Sequence, residues 1–253
     1  MQDLPIVLIT GARGGIGRAL VAELVARGGL RIVGVSRQAG ELSDLPLALA
    51  VQADCTTSDG AAEVFVQCQQ AFGAAPNLLA HCVGSTLIAP IHRTTDEQWQ
   101  AVMRTNLDSA AYMLRGWVEG LRTRNQTERD QDCSAVFVSS VVSRIGVAQH
   151  EAIAAAKGGV EGLVRSAAAT YAPQGLRLNA VAPGMTETPM TVGMLKLPAM
   201  REGAGKQYPL GGLQTAQQVA QTIAWLLSEQ ASRITGQVIA VDGGFTTVRP
   251  LVR

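Results

Sequence analysis

The segment Thr10–Gly17, T-G-A-R-G-G-I-G, determines the fold prediction. It follows an apolar, β-branched run at Ile6–Thr10 and precedes Gly17–Arg27, in which apolar residues recur at helical spacing. A glycine-rich turn between a strand and a helix lets the backbone approach a pyrophosphate closely. The N-terminus of the helix then supplies unpaired N–H groups and the positive end of a dipole. In this context the glycines predict a dinucleotide-binding turn.

Short apolar runs alternate with longer amphipathic stretches along the rest of the chain. The further predicted strands are Arg31–Ser36, Leu47–Gln52, Leu78–Val83, Ala135–Ser140, Leu176–Val181 and Val238–Val241. The further predicted helices are Ala61–Phe72, Asp96–Leu121, Glu151–Tyr171 and Ala216–Ser228. This alternation predicts a single-domain, Rossmann-type, doubly wound α/β fold over residues 1–253. The segment 183–212 is rich in proline, glycine and methionine, and we expect it to form a lid over the substrate.

The overall composition excludes several classes of partner. Lys and Arg number 21 against 20 Asp and Glu, so no basic field is available to hold a nucleic acid. The four cysteines form no C-x-x-C pair and only three histidines are present, so we expect no metal site. Free thiols indicate a reducing compartment. Since neither a signal peptide nor a membrane span is expected, the predicted location is cytoplasmic and the predicted ligand is a small molecule.

The end of the second predicted strand bears on which dinucleotide binds. In a Rossmann unit an acid at this position accepts a hydrogen bond from the ribose 2′-hydroxyl of NAD, whereas a basic residue accommodates the 2′-phosphate of NADP. This chain has Ser36-Arg37 there and no acid, and Arg13 lies in the glycine turn. Because two guanidinium groups can grip one phosphate, the sequence favours NADP over NAD. The competing interpretation is that both arginines are solvated surface residues.

The spacing of Gly11, Gly15 and Gly17 resembles the T-G-x-x-x-G-I-G signature of the short-chain dehydrogenases/reductases. The resemblance extends over essentially the whole chain and is strongest to the branch that includes 3-oxoacyl-carrier-protein reductases. It implies a homotetramer. Together with the strand-end argument, it gives these expected cofactor-binding residues: Gly11, Arg13, Gly15, Ile16, Gly17, Ser36, Arg37, Asp54, Gly84, Lys157, Pro183, Gly184 and Thr188.

The same resemblance implies catalytic roles. In this family a serine polarises the substrate carbonyl and a tyrosine exchanges the proton. A lysine four residues after the tyrosine holds the nicotinamide ribose, and an asparagine carries a relay water. Ser140, Lys157 and Asn106 match three of these residues. Counting forward from Ser140 and back from Lys157 gives the same position for the tyrosine, and Ile153 stands there.

Isoleucine cannot donate a proton, and loss of a positioned general acid typically lowers the rate about 10²–10⁴-fold. His150 is our first candidate for a substitute donor, and Glu151 and Tyr208 are weaker candidates. His150 could equally be a solvated loop residue, and Asn106 could be a helix-kink residue. Two functions therefore stay open: an NADP-dependent oxidoreductase of a small apolar substrate with an altered proton donor, or a non-catalytic cofactor-binding sensor or partner subunit.

Overall fold

The computed structural model describes residues 4–122 and 132–249. Its strands are β1 (Ile6–Thr10), β2 (Arg31–Ser36), β3 (Leu49–Gln52), β4 (Leu78–His81), β5 (Cys133–Val138), β6 (Leu176–Pro183), β7 (Thr186–Glu187), β8 (Gln214–Thr215) and β9 (Val238–Val241). Its α-helices are α1 (Gly15–Arg27), α2 (Ser58–Phe72), α3 (Asp96–Met103), α4 (Ser109–Arg122), α5 (Glu151–Tyr171), α6 (Pro198–Gly205) and α7 (Ala216–Leu227). The remaining residues of the predicted domain, 1–3, 123–131 and 250–253, lie outside the described residues.

Seven strands form one parallel sheet in the order β3-β2-β1-β4-β5-β6-β9, and β7 pairs with β8 in a second, two-stranded sheet. The helices α2, α4 and α5 contribute to the core on one face of the large sheet, and α1 and α7 contribute to the core on the other. The predicted doubly wound Rossmann-type fold is therefore confirmed. The strand order reverses between β1 and β4, which places the expected ligand crevice at the carboxyl ends of the strands.

Strand β1 shows why both faces of the sheet must be covered. All five of its residues are buried. Ile6 and Leu8 belong to one apolar cluster, whereas Val7 and Ile9 belong to the cluster on the opposite face. Because apolar side chains point to both faces of this strand, each face must be covered by a layer of helices, as in parallel sheets generally. In the described ranges 4–122 and 132–249, no helix combines the length and the apolar character needed to cross a membrane.

The predicted continuous helix Asp96–Leu121 is wrong in one respect. The chain forms α3, then a π-helical turn at Arg104–Asp108, and then α4. The turn carries Asn106, which is fully buried. Periodicity did not reveal this interruption, because one wider turn leaves the apolar spacing on either side intact. Such π-turns occur frequently at functional sites.

The predicted lid segment 183–212 follows β6 and contains β7 and α6. Thr186 of β7 pairs with Gln214 of β8, so the base of the segment is anchored by strand pairing. Several of its apolar side chains are exposed at the surface: Met190, Val192, Leu197, Met200 and Leu210.

Candidate cofactor and active site

A cavity of about 440 Å³ lies at the carboxyl ends of β4, β5 and β6 and beneath the lid segment. Eleven of the predicted site residues line it: Gly15, Ile16, Gly17, Gly84, Asn106, Ser140, His150, Lys157, Pro183, Gly184 and Thr188. The other five, Gly11, Arg13, Ser36, Arg37 and Asp54, are not part of this lining. The structure thus separates a group around the cavity from a group beside the glycine turn and β2.

The glycine turn has the geometry that a dinucleotide needs. Gly11 has a φ of +67°, which favours glycine, and a Cβ on Gly17 would lie 2.3 Å from the backbone oxygen of Gly11. Helix α1 begins after Gly14, which offers no side-chain cap, and its first turn contains no acid. The amide groups at this helix end are therefore available to an anion. These residues fit the pyrophosphate of a nicotinamide dinucleotide.

The lid segment is packed closely against the glycine turn. A Cβ on Gly15 would lie 2.8 Å from Cβ of Thr188, so glycine is needed for this contact. At the base of the lid, a Cβ on Gly184 would lie 2.7 Å from Cε1 of Tyr208. Thr188, one of the predicted cofactor-binding residues, consequently lies directly beside the predicted pyrophosphate-binding turn.

The side chain of Asn106 makes three hydrogen bonds to protein partners. Its Oδ1 accepts from the Ser85 amide at 3.1 Å, and its Nδ2 donates to Ser85 Oγ at 3.1 Å and to the Val102 carbonyl at 2.9 Å. These bonds fix the loop that follows β4 against the π-turn. A Cβ on Gly84 would lie 3.1 Å from Asn106 Oδ1, so the two residues touch. The side chain therefore has a positioning role, and the relay-water role assigned by resemblance stays a prediction.

His81, at the end of β4, is a buried residue whose role the sequence did not reveal. Its Nδ1 lies 2.8 Å from Thr10 Oγ1 and its Nε2 lies 3.0 Å from Ser109 Oγ, which itself donates to the Thr105 carbonyl. Burial lowers the pKa of His81 to about 3, so the ring is neutral. It ties β1 and β4 to the end of the π-turn.

Lys157 reaches the cavity from α5 and is almost completely buried. Its Nζ donates to the Val138 carbonyl at 2.7 Å. A Cβ on Gly84 would lie 3.4 Å from this Nζ. Burial lowers the pKa of Lys157 to about 8, against a smaller opposite effect of Cys82. The ammonium form therefore dominates at neutral pH but is lost under mildly alkaline conditions.

Ser140 follows β5 and caps a short 3₁₀ turn, with its Oγ accepting from the Val142 amide at 3.4 Å. The loop is held from behind by Glu161 of α5, a buried acid that the sequence analysis missed. Its Oε1 accepts from Ser139 Oγ at 2.9 Å and from Ser143 Oγ at 2.6 Å. Glu161 lies four residues after Lys157, so one helix face positions both the lysine and the serine loop.

Ile153 lies one turn before Lys157 on α5 and lines the cavity together with Ser140. It is buried, and its cluster includes Val102, Ala152 and Ala156. The position that resemblance assigns to the tyrosine is therefore an apolar wall facing the predicted substrate. No hydroxyl is supplied from it.

His150 is the N-cap residue of α5 and lines the cavity. Its Nδ1 lies 2.7 Å from the Ala148 carbonyl, and because a carbonyl only accepts, Nδ1 carries the hydrogen. Nε2 is then the ring nitrogen that can exchange a proton. The preceding Gln149 has a φ of 64°, the one positive φ outside glycine among residues 4–122 and 132–249. This uncommon backbone conformation directs the chain into α5 immediately before His150.

The two weaker candidates for a proton donor differ in position. Glu151 is exposed and does not line the cavity. Tyr208 lines the cavity and is buried, and its hydroxyl accepts from the Met185 amide at 2.6 Å, a bond that leaves the phenol its own proton. Burial raises the pKa of Tyr208, so the phenol gives up that proton less readily. Glu151 is therefore outside the cavity, and Tyr208 stays the weaker candidate beside His150.

The group beside β2 differs from expectation. The sequence leaves Arg13 free to grip a phosphate, but Nη1 of Arg13 lies 2.7 Å from Oε1 of Glu41. Ser36 Oγ donates to Oε2 of the same carboxylate at 2.5 Å. An acid does reach the end of β2, from the 3₁₀ turn that follows it. We expected no acid near the end of β2 because we considered only the residues at the strand end, whereas Glu41 comes from the turn that follows.

Asp54, one of the predicted cofactor-binding residues, has local partners. Its Oδ1 accepts from the Thr56 amide at 2.9 Å and from Thr56 Oγ1 at 2.8 Å. Arg37 is exposed, and Gln52 donates to its backbone carbonyl at 3.2 Å. These contacts do not test whether Asp54 and Arg37 bind the cofactor, so both roles stay predictions.

The chain is similar to known dehydrogenases and reductases over nearly its whole length. A family model described as enoyl-(acyl carrier protein) reductase matches residues 11–246. A cis-4-hydroxycyclohexanecarboxylate dehydrogenase of Sinomonas cyclohexanicum is 34% identical over 250 residues, which are 96% of this chain and 97% of that protein. A 3-oxoacyl-[acyl-carrier-protein] reductase of Thermotoga maritima is 35% identical over 247 residues, 94% of this chain and 96% of that protein. The ligand-free aldohexose dehydrogenase of Thermoplasma acidophilum is similar in structure, with a TM-score of 0.88, 26% identity, and coverage of 98% and 96%.

Proposed function

The chain belongs to the short-chain dehydrogenase/reductase family of oxidoreductases, and from this premise we propose that it interconverts a carbonyl and a hydroxyl on a small apolar substrate, with His150 as the proton donor. The observation that carries the proposal is the tautomer of His150. Its bond to the Ala148 carbonyl occupies Nδ1 and leaves Nε2 for a ligand in the cavity. Three further polar residues of the predicted site, Ser140, Asn106 and Lys157, line the same cavity.

When bound, the nicotinamide supplies or accepts the hydride. Ser140 donates a hydrogen bond to the substrate oxygen and orients the carbonyl. In the reduction the doubly protonated His150 ring gives its Nε2 proton to that oxygen, and in the oxidation the neutral ring takes a proton at Nε2, while Nδ1 keeps its hydrogen throughout. Lys157, held by the Val138 carbonyl, binds the nicotinamide ribose in its ammonium form. Ile153 and the methionines of the lid, Met185, Met190 and Met194, exclude water and favour an apolar substrate.

The proposed cofactor is NADP, with NAD as the alternative. Arg13 and Arg37 supply positive charge near the end of β2 in support of NADP. The ion pair of Arg13 with Glu41 opposes this, but the Arg13 side chain is 62% exposed and exposed pairs are weak, so a phosphate can still draw the guanidinium away. On binding NADP, Arg13 must exchange its ion pair with Glu41 for one with the 2′-phosphate.

A comparison of histidine variants tests the proton donor. The assay is oxidation of NADPH over a panel of ketones and quinones, with cofactor affinity measured separately. His150→Ala should lower kcat about 10²-fold or more and leave cofactor affinity unchanged, because the loss is that of a general acid. His92→Ala is the matched control, since His92 is exposed and outside the cavity lining. A kcat for His150→Ala within twofold of wild type would exclude His150 as donor.

Ile153→Tyr completes this experiment. A phenol at this position, one turn from Lys157, should restore the family's own donor and make activity independent of His150. If only Ile153→Tyr turns over substrate while the wild type merely binds cofactor, the second function holds: a non-catalytic sensor or partner subunit.

Further parts of the proposal are a cytoplasmic location and a homotetramer. Within the part of the chain that the structure describes, Cys55, Cys68 and Cys82 are free thiols, which supports a reducing compartment. The tetramer rests on family resemblance, with the segments Asp96–Leu121 and Glu151–Tyr171 and the C-terminal strand β9 as the expected contacts. Light scattering on the purified protein measures its mass directly.

A further inference from the structure

The carboxylate of Glu41 is bonded to Arg13, one of the two arginines predicted to bind a 2′-phosphate, and to Ser36, another predicted cofactor-binding residue. Oε1 lies 2.7 Å from Nη1 of Arg13, and Oε2 accepts from Ser36 Oγ at 2.5 Å. The Glu41 side chain is 16% exposed, whereas that of Arg13 is 62% exposed. The acid is therefore the better ordered partner, and its place is fixed mainly by the buried Ser36.

A second contact network holds Glu41 beside the glycine turn. Arg18 of α1 donates through Nε to the Arg13 carbonyl at 3.2 Å and through Nη2 to the Glu41 carbonyl at 3.4 Å. The same guanidinium makes two bonds to Asp44, at 2.6 and 3.0 Å. Arg18 thus joins the backbone of the glycine turn to the 3₁₀ turn after β2. This attachment holds the backbone of Glu41 near the glycine turn.

From these contacts we infer that Glu41 is a specificity-determining residue, which opposes a 2′-phosphate and favours a free 2′-hydroxyl on the adenosine ribose. A hydroxyl can donate to the carboxylate while Arg13 and Ser36 keep their bonds to it. A phosphate must instead compete with the carboxylate for both groups and is repelled by its charge. This inference rests on the proposed cofactor binding, and it limits how strongly the arginines can select NADP.

This arrangement differs from the usual one, in which the acid that binds the ribose is the residue at the end of the second strand. Here the strand ends in Ser36, and the acid comes from the following turn with the serine hydroxyl as its anchor. Removing the charge of Glu41 should free Arg13 and Ser36 for the phosphate without altering the strand. The preference of the site between a 2′-hydroxyl and a 2′-phosphate would then depend on Arg13 and Arg37 alone.

The test uses ligands that differ only at the 2′ position. Calorimetric titrations with AMP and adenosine 2′,5′-bisphosphate isolate the adenosine end, and titrations with NAD and NADP extend the comparison to the whole cofactor. Glu41→Gln should shift the affinity ratio at least tenfold toward the 2′-phosphorylated ligand of each pair. Glu23→Gln is the matched control, because it removes an equal charge from the C-terminal half of α1, away from the glycine turn. There Glu23 pairs with Arg27.

The outcomes separate the two proposals. If the wild type binds these ligands and Glu41→Gln shifts the ratio less than twofold, or if Glu23→Gln shifts it equally, the role of Glu41 is overturned and cofactor binding stands. If the wild type binds none of the four ligands, the proposed cofactor function fails first. Glu41→Ala repeats the removal of charge should Glu41→Gln unfold, with thermal melting as the check.

Discussion

The two ends of the cleft differ in how they are built. At the pyrophosphate end the essential features are backbone amides and glycines, such as Gly11 and Gly17, whose replacement would collide with other backbone atoms. At the substrate end the chemistry depends on single side chains, and one of them, Ile153, is apolar where resemblance predicts a tyrosine. A fold can therefore retain dinucleotide binding while its proton transfer changes, because the two properties reside in different parts of the chain.

The contrast extends to backbone conformation. Positive φ at the pyrophosphate end occurs at Gly11, where it carries no steric penalty, whereas at the substrate end it occurs at Gln149. A non-glycine residue in this region usually marks a local functional constraint. The unusual residue directly precedes His150, which is the group we propose to have taken over proton transfer.

The largest effect is expected from disrupting the pyrophosphate end. In Gly17→Ala the new Cβ would lie 2.3 Å from the Gly11 oxygen and 2.8 Å from Ala12 Cα, so the turn must open. We expect cofactor affinity to fall about 100-fold or more, which is about 2.7 kcal/mol, and stability to fall by about 1–3 kcal/mol. Calorimetry and chemical unfolding measure the two effects.

Gly162→Ala is the control for this substitution. Gly162 lies within α5 and a Cβ there meets nothing within 4 Å, so alanine should stabilise the helix by up to about 1 kcal/mol. Wild-type cofactor affinity in Gly17→Ala would show that the turn does not grip the pyrophosphate.

An intermediate effect is expected from the titration of Lys157, which joins the two ends. Its folded pKa is lowered from 10.5 to about 8, so the ammonium that we propose to bind the ribose is lost as the pH rises through this value. Cofactor affinity should therefore weaken roughly tenfold between about pH 7 and about pH 9. Lys157→Met should bind weakly at both pH values, and a pH-independent affinity in the wild type would separate Lys157 from cofactor binding.

The smallest effect concerns the strained residue at the substrate end. Gln149→Gly relieves a left-handed conformation that costs about 1–2 kcal/mol, but adds about 0.5–1 kcal/mol of backbone entropy loss. We expect a net gain below about 1 kcal/mol, seen as a rise in Tm of about 1–3 °C. Gln149→Ala keeps the strain and should show no gain. An equal gain in both variants would mean that the φ of Gln149 is not the source.

The amino-acid sequence by itself determined the Rossmann-type fold and most of the cavity. Strand periodicity and the glycines of Thr10–Gly17 are local signals, because each depends on neighbouring residues and on the steric limits of the backbone. The roles of Ser140 and Lys157 came from the resemblance to the family, and helix geometry by itself places only Ile153 one turn before Lys157. Gly84, His150 and Lys157 line the cavity together, as the resemblance and the position of His150 just before Ile153 implied.

Only the tertiary structure determined what those residues touch. Glu41 reaches Ser36 and Arg13 because a 3₁₀ turn folds back onto the glycine turn, and no local pattern encodes that return. The π-turn at Asn106 and the bonds of Glu161 to Ser139 depend equally on packing between segments far apart in the chain. Hydrogen bonds and ion pairs of this kind follow distances in space, which the order of residues along the chain does not specify.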